Sequence, residues 1–196
     1  MEYVIGIDEA GRGALAGPIC VGAVMMPKDF DWREVFALIT KRGDPVLRDS
    51  KQLSAPQRTI LYDYIVAHGT LKHSWAMVDA RTIDTHGIAP AARAATLQAA
   101  SVLAPQSDIP VMLDAGLTLP VGWQQESFVK GDETIPVISL ASMIAKVARD
   151  RHMEALGATA PEYGFEVHKG YGTSAHMQAI RKLGMTPEHR RTFVHV

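Results

Sequence analysis

The sequence predicts an α/β fold: one mixed five-stranded sheet flanked by helices, with additional helices at the C-terminal end. Three observations carry this reading. Two apolar runs, Tyr3 to Ile7 and Gly17 to Met26, are separated by a short glycine-rich stretch, as in an antiparallel strand pair. Further along, short apolar runs alternate with long helical patterns, which implies helices packed on a mixed sheet. Carboxylates stand at or just beyond several predicted strand ends, where open α/β sheets gather their sites.

Each element follows from local pattern. Tyr3 to Ile7 reads as a buried strand ending in Asp8-Glu9. Neighbouring strand residues face opposite ways, so these two carboxylates converge only if the chain bends there. Gly11 and Gly13 supply the freedom for a bend. Gly17 to Met26 is the returning strand, and Trp32 to Ile39 a short helix. Ser54 is a good cap for a helix reaching Ala67, with Leu61, Tyr64 and Ile65 at helical spacing. Leu71 to Val78 is the third strand. Ile83 to Leu103 reads as one alanine-rich helix, broken by Pro105 to Pro110. Val111 to Asp114 and Ser127 to Val129 are short strands, the second running into Lys130-Gly131-Asp132-Glu133. Ile138 to Leu156 is a strong helix, Glu162 to Thr173 a glycine-rich basic loop, and Ser174 to Leu183 a last helix. The stretch contains no repeat, low-complexity segment or linker.

Composition bounds the function. With 196 residues, 47% hydrophobic and 21% charged, the chain suits a single domain with a full core. We divide it into a catalytic core over about residues 1–150 and a C-terminal helical part over about 151–196. A net charge of −1 argues against coating of nucleic acid by bulk charge, so any such binding needs a local basic patch. The single cysteine, Cys20, sits in an apolar run and packs in the core; no disulfide framework or cysteine zinc site can form. No apolar run reaches the ~20 residues of a membrane span. The first residues enter a strand directly, without a signal peptide. The expectation is a soluble, cytoplasmic monomer that does not bind membranes.

Asp8 and Glu9 alone describe no more than a strand ending in a polar turn. With Asp114 and Asp132 they make a constellation. Four carboxylates brought together from three strand ends repel one another unless a cation holds them. Hard oxygen ligands without cysteine suit Mg²⁺ or Mn²⁺. Two such ions about 3.5–4 Å apart can activate a water and stabilise the leaving oxygen of a phosphodiester. Gly11-Arg12-Gly13 beside them adds a guanidinium and closely approachable backbone, as a phosphate-bearing polymer requires. The eight histidines form no zinc pattern and read mostly as surface or packing residues.

Six segments, in order along nearly the whole chain, carry a resemblance. They are Gly6-Ile7-Asp8-Glu9-Ala10-Gly11-Arg12-Gly13 with Ala16-Gly17-Pro18, then Asp49-Ser50-Lys51-Gln52-Leu53-Ser54, then Leu113-Asp114-Ala115-Gly116. Lys130-Gly131-Asp132, the run from Ala141 to Asp150, and His168-Lys169-Gly170-Tyr171-Gly172-Thr173 complete the set. Together they resemble ribonuclease HII, the type 2 ribonuclease H family. The resemblance implies a ribonuclease H-like fold, cleavage of the RNA strand of RNA–DNA hybrids, and incision 5′ of ribonucleotides embedded in duplex DNA. It implies that Asp8, Glu9, Asp114 and Asp132 bind two Mg²⁺ or Mn²⁺ ions. It places a 2′-OH reader on Gly11, Arg12 and Gly13, a phosphate contact on Ser50 and Lys51, and a stacking ring on Tyr171. The chain departs from the family's usual pattern at Ala115, where glycine is common, and at Leu140, where alanine is.

The residues alone leave Asp132 and Glu133 as rivals for the fourth ligand, and Tyr163 and Tyr171 for the stacking ring; the resemblance selects Asp132 and Tyr171. Asp150 reads as a partner within its helix, and Asp49 as a residue ordering the Ser50-Lys51 loop. Lys146, Arg149 and Lys169 are candidate phosphate contacts. A binding module without catalysis, or a nuclease of the type 1 or ribonuclease HIII kind, are the competing functions. The C-terminal stretch has no Q-x-x-[ILM]-x-x-aromatic-aromatic peptide of the kind that binds a sliding clamp.

Overall fold

Strands β1 (Tyr3–Ala10) and β2 (Ile19–Pro27) pair antiparallel in unbroken register from Tyr3↔Pro27 to Ala10↔Cys20. The structure, a computed structural model, describes residues 2–104 and 108–195. β3 (Lys72–Val78) adds to β2 antiparallel, whereas β4 (Val111–Asp114) and β5 (Gln125–Phe128) lie on the other side and run parallel to β1. The order is β3-β2-β1-β4-β5, the mixed five-stranded sheet that the sequence predicts.

Helices cover both faces. The remaining elements are α1 (Arg33–Ala37), α2 (Ala55–Ala67), α3 (Ala80–His86), α4 (Ile88–Leu103), α5 (Gly131–Thr134), α6 (Pro136–Thr159), α7 (Phe165–His168) and α8 (Ser174–Leu183). On one face Ile5, Ile7, Val21 and Ala23 pack against the alanine row Ala92, Ala95 and Ala99 of α4. On the other, Val4 and Val24 meet Val137, Ile138 and Ala141 of α6. Each fully buried isoleucine or valine contributes roughly 1.5–3 kcal/mol relative to exposure. α6 approaches so closely that a side chain at Gly6 or Gly22 would strike its backbone. That contact brings the Ser142 turn of α6 beside the end of β1.

Some boundaries differ from expectation. The run read as one helix from Ile83 starts earlier, where Asp79 caps it by accepting from Thr82 N at 2.7 Å, and breaks at Gly87, whose φ of +89° is not helical. The stretch that follows the last strand turns at Lys130, in the left-handed region, and forms the short helix α5. The glycine-rich stretch after Glu162 contains α7. The helix break expected at Pro105 to Pro110 falls partly on residues outside those described. Ser54 caps α2 as expected, in a reciprocal box with Gln57. Among the described residues no helix is long and apolar enough to cross a membrane.

Candidate active site

β1 does not bend at its carboxylates. Asp8 and Glu9 stay in register opposite Gly22 and Val21, and the chain turns only at Gly11, whose φ of +87° suits glycine. Convergence has another origin. The parallel pairing of β1 with β4 stops at Ile7↔Leu113, so the sheet opens between the two strands just where Asp8 and Asp114 emerge. Oxygens of Asp8, Glu9 and Asp114 come within 4.8 Å of one another.

The cluster is electrostatically unsatisfied. Burial, then the neighbouring Glu9 charge, push the Asp8 carboxyl well above the usual carboxylate range, although Ser142 donates to it. Burial also raises Glu9, against the pull of Arg12. Arg12 Nε donates to Glu9 Oε1 at 2.7 Å, and its NH2 to Gly116 O at 3.1 Å. The other oxygen, Glu9 Oε2, is buried without a hydrogen-bond partner among the described residues. An orphaned oxygen on a carboxylate that clusters with two others fits a hard divalent cation. Gly131 N donates to Asp114 Oδ1 at 2.9 Å and so ties α5 to β4. The positive φ of that turn falls on Gly116, which lets Ala115 replace the usual glycine without strain. Leu140 is fully buried in the α6 core, away from the carboxylates.

Asp132 stands outside the close triad. It sits in the first turn of α5, and its Oδ2 lies 3.4 Å from Lys51 Nζ. Burial and the charges of Asp49 and Asp114 raise it. Glu133 instead pairs with Lys130 at 3.3 Å on the surface. Asp49 orders its loop as expected, accepting from Lys51 N at 3.0 Å, and the Ser50 and Ser142 hydroxyls share a hydrogen bond of 2.9 Å. Burial opposes the charged form of Lys51, yet Asp49 and Asp132 raise its pKa.

A groove of about 550 Å³ joins Asp8, Glu9 and Asp114 to Gly11-Arg12-Gly13, Ser50-Lys51, Lys146 and Tyr171. A side chain at Gly13 would meet nothing within 4 Å, so that backbone faces open space. The Tyr171 ring is 37% exposed, with the Arg149 guanidinium 5.3 Å and Lys146 Nζ 5.9 Å from its centre. Tyr163 is buried, its hydroxyl donating to Gly184 O, which removes it as a rival. Asp150 accepts from Lys146 at 2.7 Å within α6.

Two of the basic candidates are otherwise engaged. Arg149 is fully buried and donates to the carbonyls of Pro18, Lys169 and Ala16, so it clamps loops and offers nothing to a phosphate. Lys169 Nζ pairs with Glu154 and with Glu166 O, in an adjoining groove. The sequence reading missed Ser142 as a partner of Asp8, although its motif was in view. It also missed Arg190, buried and donating to Gly17 O at 3.0 Å and Arg12 O at 2.9 Å. An arginine near the end of a polar stretch leaves no periodic signal.

The ribonuclease HII family model matches residues 5–196. The chain belongs to the ribonuclease HII family. It is 42% identical over 193 residues to a ribonuclease HII of Geobacillus sp. strain WCH70, covering 98% of this chain and 64% of that one. A Roseiflexus castenholzii ribonuclease HII is 44% identical over 196 residues, covering 97% of this chain and 81% of that one. The chain thus spans about two thirds to four fifths of these relatives' length. Among solved structures, ribonuclease H2 of Pyrococcus horikoshii matches with a TM-score of 0.68 at 27% identity, over 97% of this chain and 93% of that one. The ribonuclease HII from Archaeoglobus fulgidus, solved in a complex with PCNA, has a TM-score of 0.77 at 22% identity, over 99% and 96%. Bst-RNase HIII in complex with Mn²⁺ shares the fold at a TM-score of 0.72 and 20% identity, over 98% and 67%. The chain therefore has the ribonuclease H-like fold that its sequence predicts.

Proposed function

We propose that this ribonuclease HII chain is an endonuclease that hydrolyses the RNA strand of RNA–DNA hybrids. We propose further that it incises 5′ of ribonucleotides embedded in duplex DNA, leaving 3′-OH and 5′-phosphate ends. The carrying observation is the meeting of Asp8, Glu9 and Asp114 at an open strand end, with Glu9 Oε2 buried and unpartnered among the described residues.

Asp8, Glu9 and Asp114, with Asp132 beside them, would hold two Mg²⁺ or Mn²⁺ ions, which supply water activation and leaving-oxygen stabilisation in phosphodiester hydrolysis. The chain's own residues do the rest. Ser142 and the Glu9 N–H orient Asp8, the latter donating to Asp8 Oδ1 at 2.7 Å. Arg12 draws one Glu9 oxygen aside and leaves the other directed to the cluster. The open backbone at Gly13 lets a ribose approach without a side chain between. Lys51, with its side chain three-quarters exposed, meets a phosphate beside Asp132. Tyr171 stacks on the neighbouring sugar, where a 2′-OH would crowd the ring and a deoxyribose fits.

One assay decides among the candidate functions: a duplex with a single ribonucleotide, an RNA–DNA hybrid and an all-DNA duplex, compared in Mg²⁺ and Mn²⁺. Cleavage of the first two alone is expected. Binding without cleavage would make the chain a binding module, and cleavage of the hybrid alone would make it another kind of ribonuclease H.

A further inference from the structure

We propose that His176 and His189 are positioning residues for Tyr171: a relay of two neutral imidazoles, in fixed and opposite tautomers, that holds the tyrosine backbone in the groove. Only its rate arm, below, rests on the proposed function.

The direction of the relay is set at both ends. Thr186 N donates to His189 Nδ1 at 2.9 Å, so that nitrogen carries a lone pair and no proton. A neutral His189 is then protonated at Nε2, which lies 3.1 Å from His176 Nε2. His176 must accept there. Its own proton sits on Nδ1, 3.0 Å from the carbonyl oxygen of Tyr171, which can only accept. No other assignment satisfies an amide N–H at one end and a carbonyl at the other. A second proton on either ring would set N–H against N–H. Burial, then the neighbouring His176, hold His189 down to about 4, and burial lowers His176 as well.

The surroundings lock the relay in place. Both rings are buried, and His176 stacks on His168 with centres 4.3 Å apart. His168 is itself pinned, accepting from Gly170 N at Nδ1 and hydrogen-bonded through Nε2 to Tyr163 O at 2.7 Å. The next residue after His189 reaches the other side of the groove: Arg190 donates to the carbonyl of Arg12. His189 also bridges to Ala16, between the two loops. One turn of chain therefore fixes the backbone of the Gly-Arg-Gly element and, through His176, that of Tyr171. A packing role alone would need ring volume but no particular tautomer.

The test uses the full chain labelled with ¹⁵N at histidine, in EDTA at neutral pH. Two-bond proton–nitrogen spectra should show His189 protonated at Nε2 and His176 at Nδ1. His176 protonated at Nε2, or either ring charged, overturns the proposal. H189M leaves only the Tyr171 carbonyl to hold the His176 proton on Nδ1, so the share of the Nε2 tautomer should rise; an unchanged His176 spectrum overturns the relay. In rate measurements, H176F keeps a ring of similar size without hydrogen bonds. It should lower the ratio of single-ribonucleotide incision to hybrid cleavage roughly tenfold, the scale of one lost hydrogen bond. H176N, whose amide can still donate to the Tyr171 carbonyl, should recover most of the ratio. A normal ratio in folded H176F overturns the proposal. If a thermal melt shows H176F unfolded, H189M carries the rate comparison. If the unaltered chain cleaves neither substrate, the functional reading fails, and the tautomers with and without H189M decide the relay.

Discussion

The two sides of the groove are built in opposite ways. On the carboxylate side, like charges crowd together, burial raises Asp8, Glu9 and Asp132, and one Glu9 oxygen has no partner among the described residues. On the tyrosine side the chain is held by partnered contacts. Arg149 donates to three carbonyls, Arg190 to two, and a histidine relay ends on the Tyr171 backbone. One N–H group of Arg190 is the exception, buried without a partner among the described residues. Under the proposed function the contrast separates two tasks. A side that must take up cations keeps its charges unsatisfied, at some cost in stability. A side that must read shape needs a backbone fixed before the substrate arrives.

The strongest test of this contrast removes the cations. Cleavage should require Mg²⁺ or Mn²⁺ and vanish in chelator; full activity in excess EDTA would end the two-ion mechanism. Next, Asp8→Asn and Asp114→Asn should each abolish cleavage in a folded protein. Stability should move the other way. A carboxyl with a raised native pKa binds protons more readily folded than unfolded, so its contribution to stability declines as pH rises above 3.8. At neutral pH in chelator Asp8 is therefore a liability, and Asp8→Asn should raise the melting temperature. Arg149→Met on the opposite side should lower it. Three buried carbonyls lose their donor, at about 1 kcal/mol or more each. Equal signs for the two variants in a chelator melt would erase the distinction between the sides.

Asp132 lies at the margin of the charged side, which makes it the sharper case. Asp132→Asn should hurt cleavage far more than Glu133→Gln or Asp150→Asn. Glu133 is paired with Lys130 on the surface, and Asp150 with Lys146 in α6. The reverse order in a turnover assay would move the fourth ligand elsewhere.

The charged side was largely readable from sequence, because strand ends and carboxylates are local patterns. Asp8, Glu9 and Asp114 needed only an apolar run and its terminus. How they converge was not readable: the expected bend is absent, and the gap comes from where β4 stops pairing, which depends on a strand about a hundred residues away. The tyrosine side was hidden for the same reason in stronger form. Arg149 looked like a phosphate contact because a cation in a helix motif gives no sign of the three carbonyls that surround it. His176 and His189 looked like packing residues, since a hydrogen bond between distant rings has no spacing. The helix break at Gly87 was missed because helical residues stand on both sides of a single glycine, and nothing local shows that the chain turns there.

The smallest expected effects compare a shared contact with a selective one. Tyr171→Ala should reduce incision at a single embedded ribonucleotide more than cleavage of a long hybrid. Stacking of this kind is worth ~1–3 kcal/mol, so the junction substrate should lose roughly ten- to a hundredfold. Lys51 should not discriminate. Its ammonium lies 3.4 Å from Asp132 Oδ2 and 3.7 Å from Asp49 Oδ2, with its side chain three-quarters exposed. A phosphate at that point belongs to both substrates, so Lys51→Ala should weaken both alike and flatten the salt dependence of binding by about one unit of slope. Part of the loss comes through Asp132, which keeps its burial and its repulsion from Asp114 but loses a neutralising neighbour. Raising Mg²⁺ should therefore recover some Lys51→Ala activity and none of the Tyr171→Ala selectivity. Recovery of selectivity by added Mg²⁺ would mean that the ring acts through the charged side and is not a separate reader of the junction.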